Sequence, residues 1–165
     1  MTSLIALTLS IGILAGVATW LYLIPLAVLS FQIWQGFISW ASYFHCGGGV
    51  DGAKNTVICM SFGAIVGAAV IALAGQLGGL GEFAAPVSVA IGAAVLVLGS
   101  SHSLLAVIPA SVYGFAAVAG LILLKGIAPV DALVPTIGSI ILGAAFGFAS
   151  EKLAGVLTST TEAEA

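Results

Sequence analysis

The first fifty residues, 1–50, carry no formally charged side chain. A stretch of that kind cannot make the surface of a water-soluble domain, which normally draws on roughly a quarter charged residues. The whole chain has three Lys and six Asp or Glu among 165 residues, while 61% are apolar or aromatic. Lipid is the solvent that suits such a composition. A charge at the centre of a spanning helix costs about 2.5–3.5 kcal/mol on insertion scales, so the nine charges mark the turns and the gaps between them hold the helices.

At roughly 20 residues per crossing of a ~30 Å hydrocarbon core, six spans fit. They are expected at about residues 4–23, 26–45, 56–74, 83–99, 104–124 and 130–150, with Pro25 closing the first and the polar run Ser100, Ser101, His102 and Ser103 dividing the fourth from the fifth. The expected fold class is all-α, a polytopic membrane helical bundle of about six transmembrane helices in one domain, 1–155, followed by a short polar disordered tail, 156–165. No Lys or Arg precedes the first apolar stretch, which is longer than a secretory signal core, so it is expected to be retained as a helix. With six crossings Lys54 and Lys152 fall on the side of both termini and Lys125 on the other, which favours cytoplasmic termini. The net charge of −3 leaves no basic surface for nucleic acid.

Two halves are visible in outline. GAIVGAAVIALA at 63–74 can be laid on GSIILGAAFGFA at 138–149 with a one-residue offset. If the chain is a 3+3 duplication, the odd number of helices in each half inverts the second relative to the first. The competing reading is that membrane helices made of Gly, Ala, Ile and Val resemble one another by composition.

Helical spacing gives the sharpest feature. Gln32, Gln35, Ser39, Ser42 and Cys46 recur at steps of three and four, one polar stripe on an otherwise apolar and aromatic rod. Amides that lose water in lipid must be matched by another helix, by water, or by a passing solute. On one reading Gln32, Gln35, Ser39 and Ser42 line a passage whose apolar walls include Trp34 and Phe37. On the other the stripe is glue between helices and the aromatics face lipid.

Small-residue stripes on three more helices (Thr8, Gly12, Gly16, Thr19; Thr56, Cys59, Gly63, Gly67; Thr136, Ser139, Gly143, Gly147, Ser150) predict close backbone packing. Pro86 suits a first turn, whereas Pro109 and Pro135 are candidates for a kink or an opened helix. The turn at 47–52 matches GxGxxG, but it follows a membrane helix instead of a strand and lacks a downstream acid, so it reads as a tight reversal with Asn55 capping the third helix. His45, Cys46 and Cys59 flank that turn without zinc-ligand spacing, and no metal site or cofactor is expected.

The segments IGILAGVATW (11–20), SYFHCGG (42–48), IPASVYG (108–114) and VPTIGSIILGAAFG (134–147) resemble the YcdZ-like family of bacterial inner-membrane proteins, a domain of unknown function of similar length. The resemblance implies a multi-pass bacterial inner-membrane protein and supplies no catalytic residues. The residues themselves disfavour an enzyme, since the expected spans hold no charged group apart from Asp131 at the mouth of the sixth and both histidines lie at helix ends. What remains is a passive channel or transporter for a small neutral or weakly polar solute, working as a homo-oligomer among membrane lipids. The alternative is a non-transporting scaffold or accessory subunit.

Overall fold

A computed structural model of the chain describes residues 2–162, with side chains as far as residue 158. Six α-helices follow one another: α1 Ser3–Leu23, α2 Ile33–His45, α3 Gly49–Gln76, α4 Ala84–Gly99, α5 Ile108–Lys125 and α6 Leu133–Glu162. No strand occurs among the described residues. Five segments are long and apolar enough to cross a membrane, and the chain is a multi-pass membrane-type bundle.

The exception is α2. Its expected span, 26–45, is broken: a 3₁₀ turn, Ala27–Leu29, ends at Ser30, whose φ of 57° is left-handed, and the helix starts only at Ile33. Its 13 residues rise about 20 Å, well short of a full crossing. Elsewhere the differences lie at the ends. A 3₁₀ turn, Ser103–Leu105, precedes α5, which starts at Ile108 and not at 104. Helix α3 begins at Gly49, so Asn55 lies inside it and is not its cap. Helix α6 runs on to Glu162 through most of the stretch expected as a tail, whose residues 163–165 lie outside the described chain. Pro86, Pro109 and Pro135 all fall in the first turn of their helices, where the missing N–H has no intrahelical acceptor to lose, and neither Pro109 nor Pro135 opens a helix.

Inter-helix contacts fix the direction of each helix. Ser10 donates to Ser150 O (2.8 Å) and Tyr22 to Ser139 O (2.9 Å), so α1 and α6 are antiparallel. Ser39 donates to Ile140 O and Trp40 Nε1 to Ser150 Oγ, so α2 runs with α6. Gly99 faces Phe62 and Gly92 faces Val70, which makes α3 and α4 antiparallel, whereas Gly63 against Ser111 and Gly67 against Val118 set α3 and α5 in the same direction.

These pairings repeat. Helices α1 and α2 pack mainly on α6, while α4 and α5 pack mainly on α3, and α3 packs on α6 between them. Exchanging α1, α2 and α3 for α4, α5 and α6 leaves that pattern unchanged. It is the packing expected of a 3+3 inverted repeat, in which each half gives its first two helices to the third helix of the other.

Glycine decides how close the pairs come. A Cβ on Gly63 would sit 1.8 Å from Ser111 O, and one on Gly114 would sit 1.8 Å from Met60 O, so the backbones of α3 and α5 touch. At the equivalent α6–α2 crossing a Cβ on Gly143 would lie 2.2 Å from Gly36 O. Gly12 and Gly16 of α1 have nothing within 4 Å. Two of the small-residue stripes are packing faces, and that of α1 has no neighbour there within the chain.

Candidate functional site

Helix α2 turns one face into the bundle, and Gln35, Gly36, Ser39, Trp40, Ser42 and Tyr43 are buried. Gln35, with 0% of its surface exposed, reaches two helices of the other half, α5 and α6. Its Nε2 donates to Ala117 O on α5 (2.9 Å) and to Thr136 Oγ1 on α6 (3.0 Å). A carbonyl can be met only by the NH₂ end of the amide, so the amide orientation follows from its partners. Both Nε2 hydrogens are then used, and Oε1 is buried without a partner. Ser39 Oγ donates to Ile140 O (2.6 Å), and Ser42 Oγ accepts from Thr56 (3.4 Å) and lies 3.9 Å from Cys46 Sγ.

The stripe is therefore a closed seam and does not line an open passage. Gln32 stands apart from its buried part: it is half-buried at the start of α2, its Nε2 donates to Ser30 O and its backbone N–H to Ser139 Oγ (2.8 Å). The expected walls separate as well. Trp34 packs into the core near Gly120, whereas Phe37 is 41% exposed on the outer face, stacked on Trp40. Phe37 faces away because it lies two residues from Gln35, about 200° around the helix.

Ser111 on α5 is also buried with its Oγ unpartnered, at the crossing with α3. Helices α2 and α5 are the pair that exchange under the repeat. Each carries an unsatisfied polar atom where it meets the other half. Leaving such a group buried costs about 1–3 kcal/mol, so these are weak points in the core, as is Ser61 Oγ on α3. A cavity of about 330 Å³, lined by Ile38, Ala41, Tyr113 and Ala116, opens between α2 and α5. Ile38 is one helical turn from Gln35, and Ala116 adjoins Ala117. The alanines leave the gap, and Tyr113 OH, 3.1 Å from His45 Nδ1, bridges the two helices at one end.

Sequence reasoning missed the clasp at the end of α2. Gly47, Gly48 and Gly49 all have positive φ, and this left-handed run reverses the chain into α3. Glu151 of α6 holds the reversal: its Oε2 accepts from Gly49 N (2.8 Å) and from Tyr43 OH. A carboxylate at a helix N-terminus satisfies an orphan N–H and the helix dipole together. The Gly49 amide at this helix start is taken by the protein's own side chain. Glu151 stood out in the sequence only as a charge near the chain's end. His45 bonds Tyr113, and Cys46 and Cys59 are free thiols.

No curated protein and no solved structure matches the chain. A family does: residues 8–155 match the DUF1097 family, described as proteins of unknown function, and the chain belongs to that family.

Proposed function

We propose that this chain gives a small neutral or weakly polar solute a gated, passive route across a bacterial inner membrane, and that it is not an enzyme. The observation that carries the proposal is Gln35: fully buried where one inverted half meets the other, bonded to both helices it faces, and left with a free carbonyl oxygen. Inverted repeats bracket the transport site in many carriers, and short or interrupted helices at equivalent positions of the two halves point to it. Helices α2 and α5 hold those positions, and each follows a 3₁₀ turn. The seam is closed, so passage requires an opening beside Gln35 Oε1 that leaves the Nε2 bonds to Ala117 and Thr136 in place. Charge is excluded because an ion entering this neutral core loses water without a compensating partner. The inner-membrane placement rests on the sequence resemblance. A homo-oligomer is part of the proposal, since one slim bundle leaves little width for a lumen.

A second reading has its own support. Ser39, Ser42, Trp40 and Tyr22 are all satisfied by other helices, which is what a non-transporting scaffold with a polar seam requires. Flux into sealed vesicles separates the two. Folded, correctly inserted protein that passes no member of a panel of water, ammonia, urea and glycerol favours the scaffold; saturable or facilitated passage of any of them favours the route.

A further inference from the structure

The amide of Gln35 is asymmetric in what it leaves unused. Both hydrogens of Nε2 are committed, to Ala117 O and Thr136 Oγ1, while Oε1 has no partner. What the seam offers a visitor at this point is an acceptor alone. We infer that the solutes of this route are neutral hydrogen-bond donors, compact molecules carrying N–H or O–H, and that acceptor-only solutes of the same size are discriminated against at Gln35. The inference rests on the transport reading above and names the substrate class of that site.

The chemistry narrows the class further. One neutral carbonyl oxygen does not replace a cation's hydration shell, so a donor without charge is favoured over a cation. Ser111 Oγ, also buried without a partner where α5 crosses α3, is a hydroxyl that can accept from the same donors. The site also predicts how strong the preference is. Oε1 is already unsatisfied when the seam is empty, so an acceptor-only visitor does not strand a bonded group; it only fails to gain a bond. The discrimination is then that of one buried hydrogen bond, about tenfold and at most a few hundredfold, not the far larger rejection seen where a visitor breaks existing bonds.

The test uses the full chain in sealed phospholipid vesicles, with osmotic flux read by stopped-flow light scattering. Methylurea, a donor, and N,N-dimethylformamide, an uncharged acceptor-only amide of nearly the same mass, form the matched pair. Methylurea is expected to pass about tenfold faster or more above the protein-free rate. Gln35→Met, which keeps length and removes the carbonyl, should abolish the preference. Thr136→Val frees one Nε2 hydrogen and adds a donor to the site, so N,N-dimethylformamide flux should rise relative to wild type. Equal protein-dependent flux of both solutes, or no change of preference in Thr136→Val with the fold intact by circular dichroism, overturns the inference and leaves the route standing. No protein-dependent flux of any solute overturns both.

Discussion

Replacing Gly114 by alanine tests the closest helix crossing in the molecule. The new Cβ would stand 1.8 Å from Met60 O, 2.6 Å from Met60 C and 2.7 Å from Met60 Cα. All three are backbone atoms, so no side chain can swing aside. Reaching the 3.4 Å of ordinary contact takes about 1.6 Å of separation between α3 and α5. Overpacking of this sort costs about 1–3 kcal/mol, and a gap of that width forfeits much of the dispersion along the rest of the seam. Alanine's better helix propensity returns only about 0.5–1 kcal/mol. The net expectation is a loss of about 1–2 kcal/mol. Gly12→Ala is the matched control, because nothing lies within 4 Å of that position and the same propensity gain should appear unopposed. Unfolding by increasing SDS fraction in mixed micelles, followed by far-ultraviolet circular dichroism, measures both. If Gly114→Ala proves as stable as Gly12→Ala, the α3–α5 backbone contact is wrong.

Glu151→Ala removes the acceptor for Gly49 N and Tyr43 OH; a loss of about 1–3 kcal/mol and faster amide exchange across residues 47–50 are expected, and unchanged exchange there would refute the clasp. Ser39→Ala should cost no more than about 1 kcal/mol in the same SDS titration, since Ile140 O loses only an additional donor; a loss several times larger would show that the seam is more tightly coupled than its bonds imply. Maleimide should modify half-buried Cys46 in the folded protein and leave Cys59, at 0% exposure, untouched until unfolding; equal rates would contradict the packing of α3. Single cysteines placed at Lys54 and Lys125 of a cysteine-free chain should be labelled from opposite sides of a sealed vesicle, and labelling from one side only would break the alternation of helix directions.

Much of this fold can be read from local sequence. Charge-free runs locate α1 and α4 to within a residue or two, and the three- and four-residue spacing of Gln35, Ser39 and Ser42 identifies the buried face of α2. Its function as a closed seam cannot be read there, because the partners Ala117, Thr136 and Ile140 lie 82 to 101 residues away. The short length of α2 is hidden for a different reason. Residues 26–32 are as apolar as a helix needs, and the break at Ser30 is a backbone choice that hydropathy does not record. The three glycine stripes look alike in sequence, yet only packing distinguishes Gly63 and Gly143, which touch a neighbour's backbone, from Gly12, which touches nothing. The clasp was invisible because a carboxylate near the end of the chain gives no sign that it will cap a helix 102 residues earlier.

The crossed partnership of the halves has a consequence for biogenesis. Helices α1 and α2 have their principal bearing surface on α6, the last of the six to be synthesised, so they wait without that surface until α6 follows. Helix α3 waits less, since α4 and α5 follow it directly. Assembly should therefore proceed outward from the α3–α4–α5 trio and finish when α6 arrives, and a chain cut short after α5 would leave its first two helices without a dock and exposed to membrane proteases.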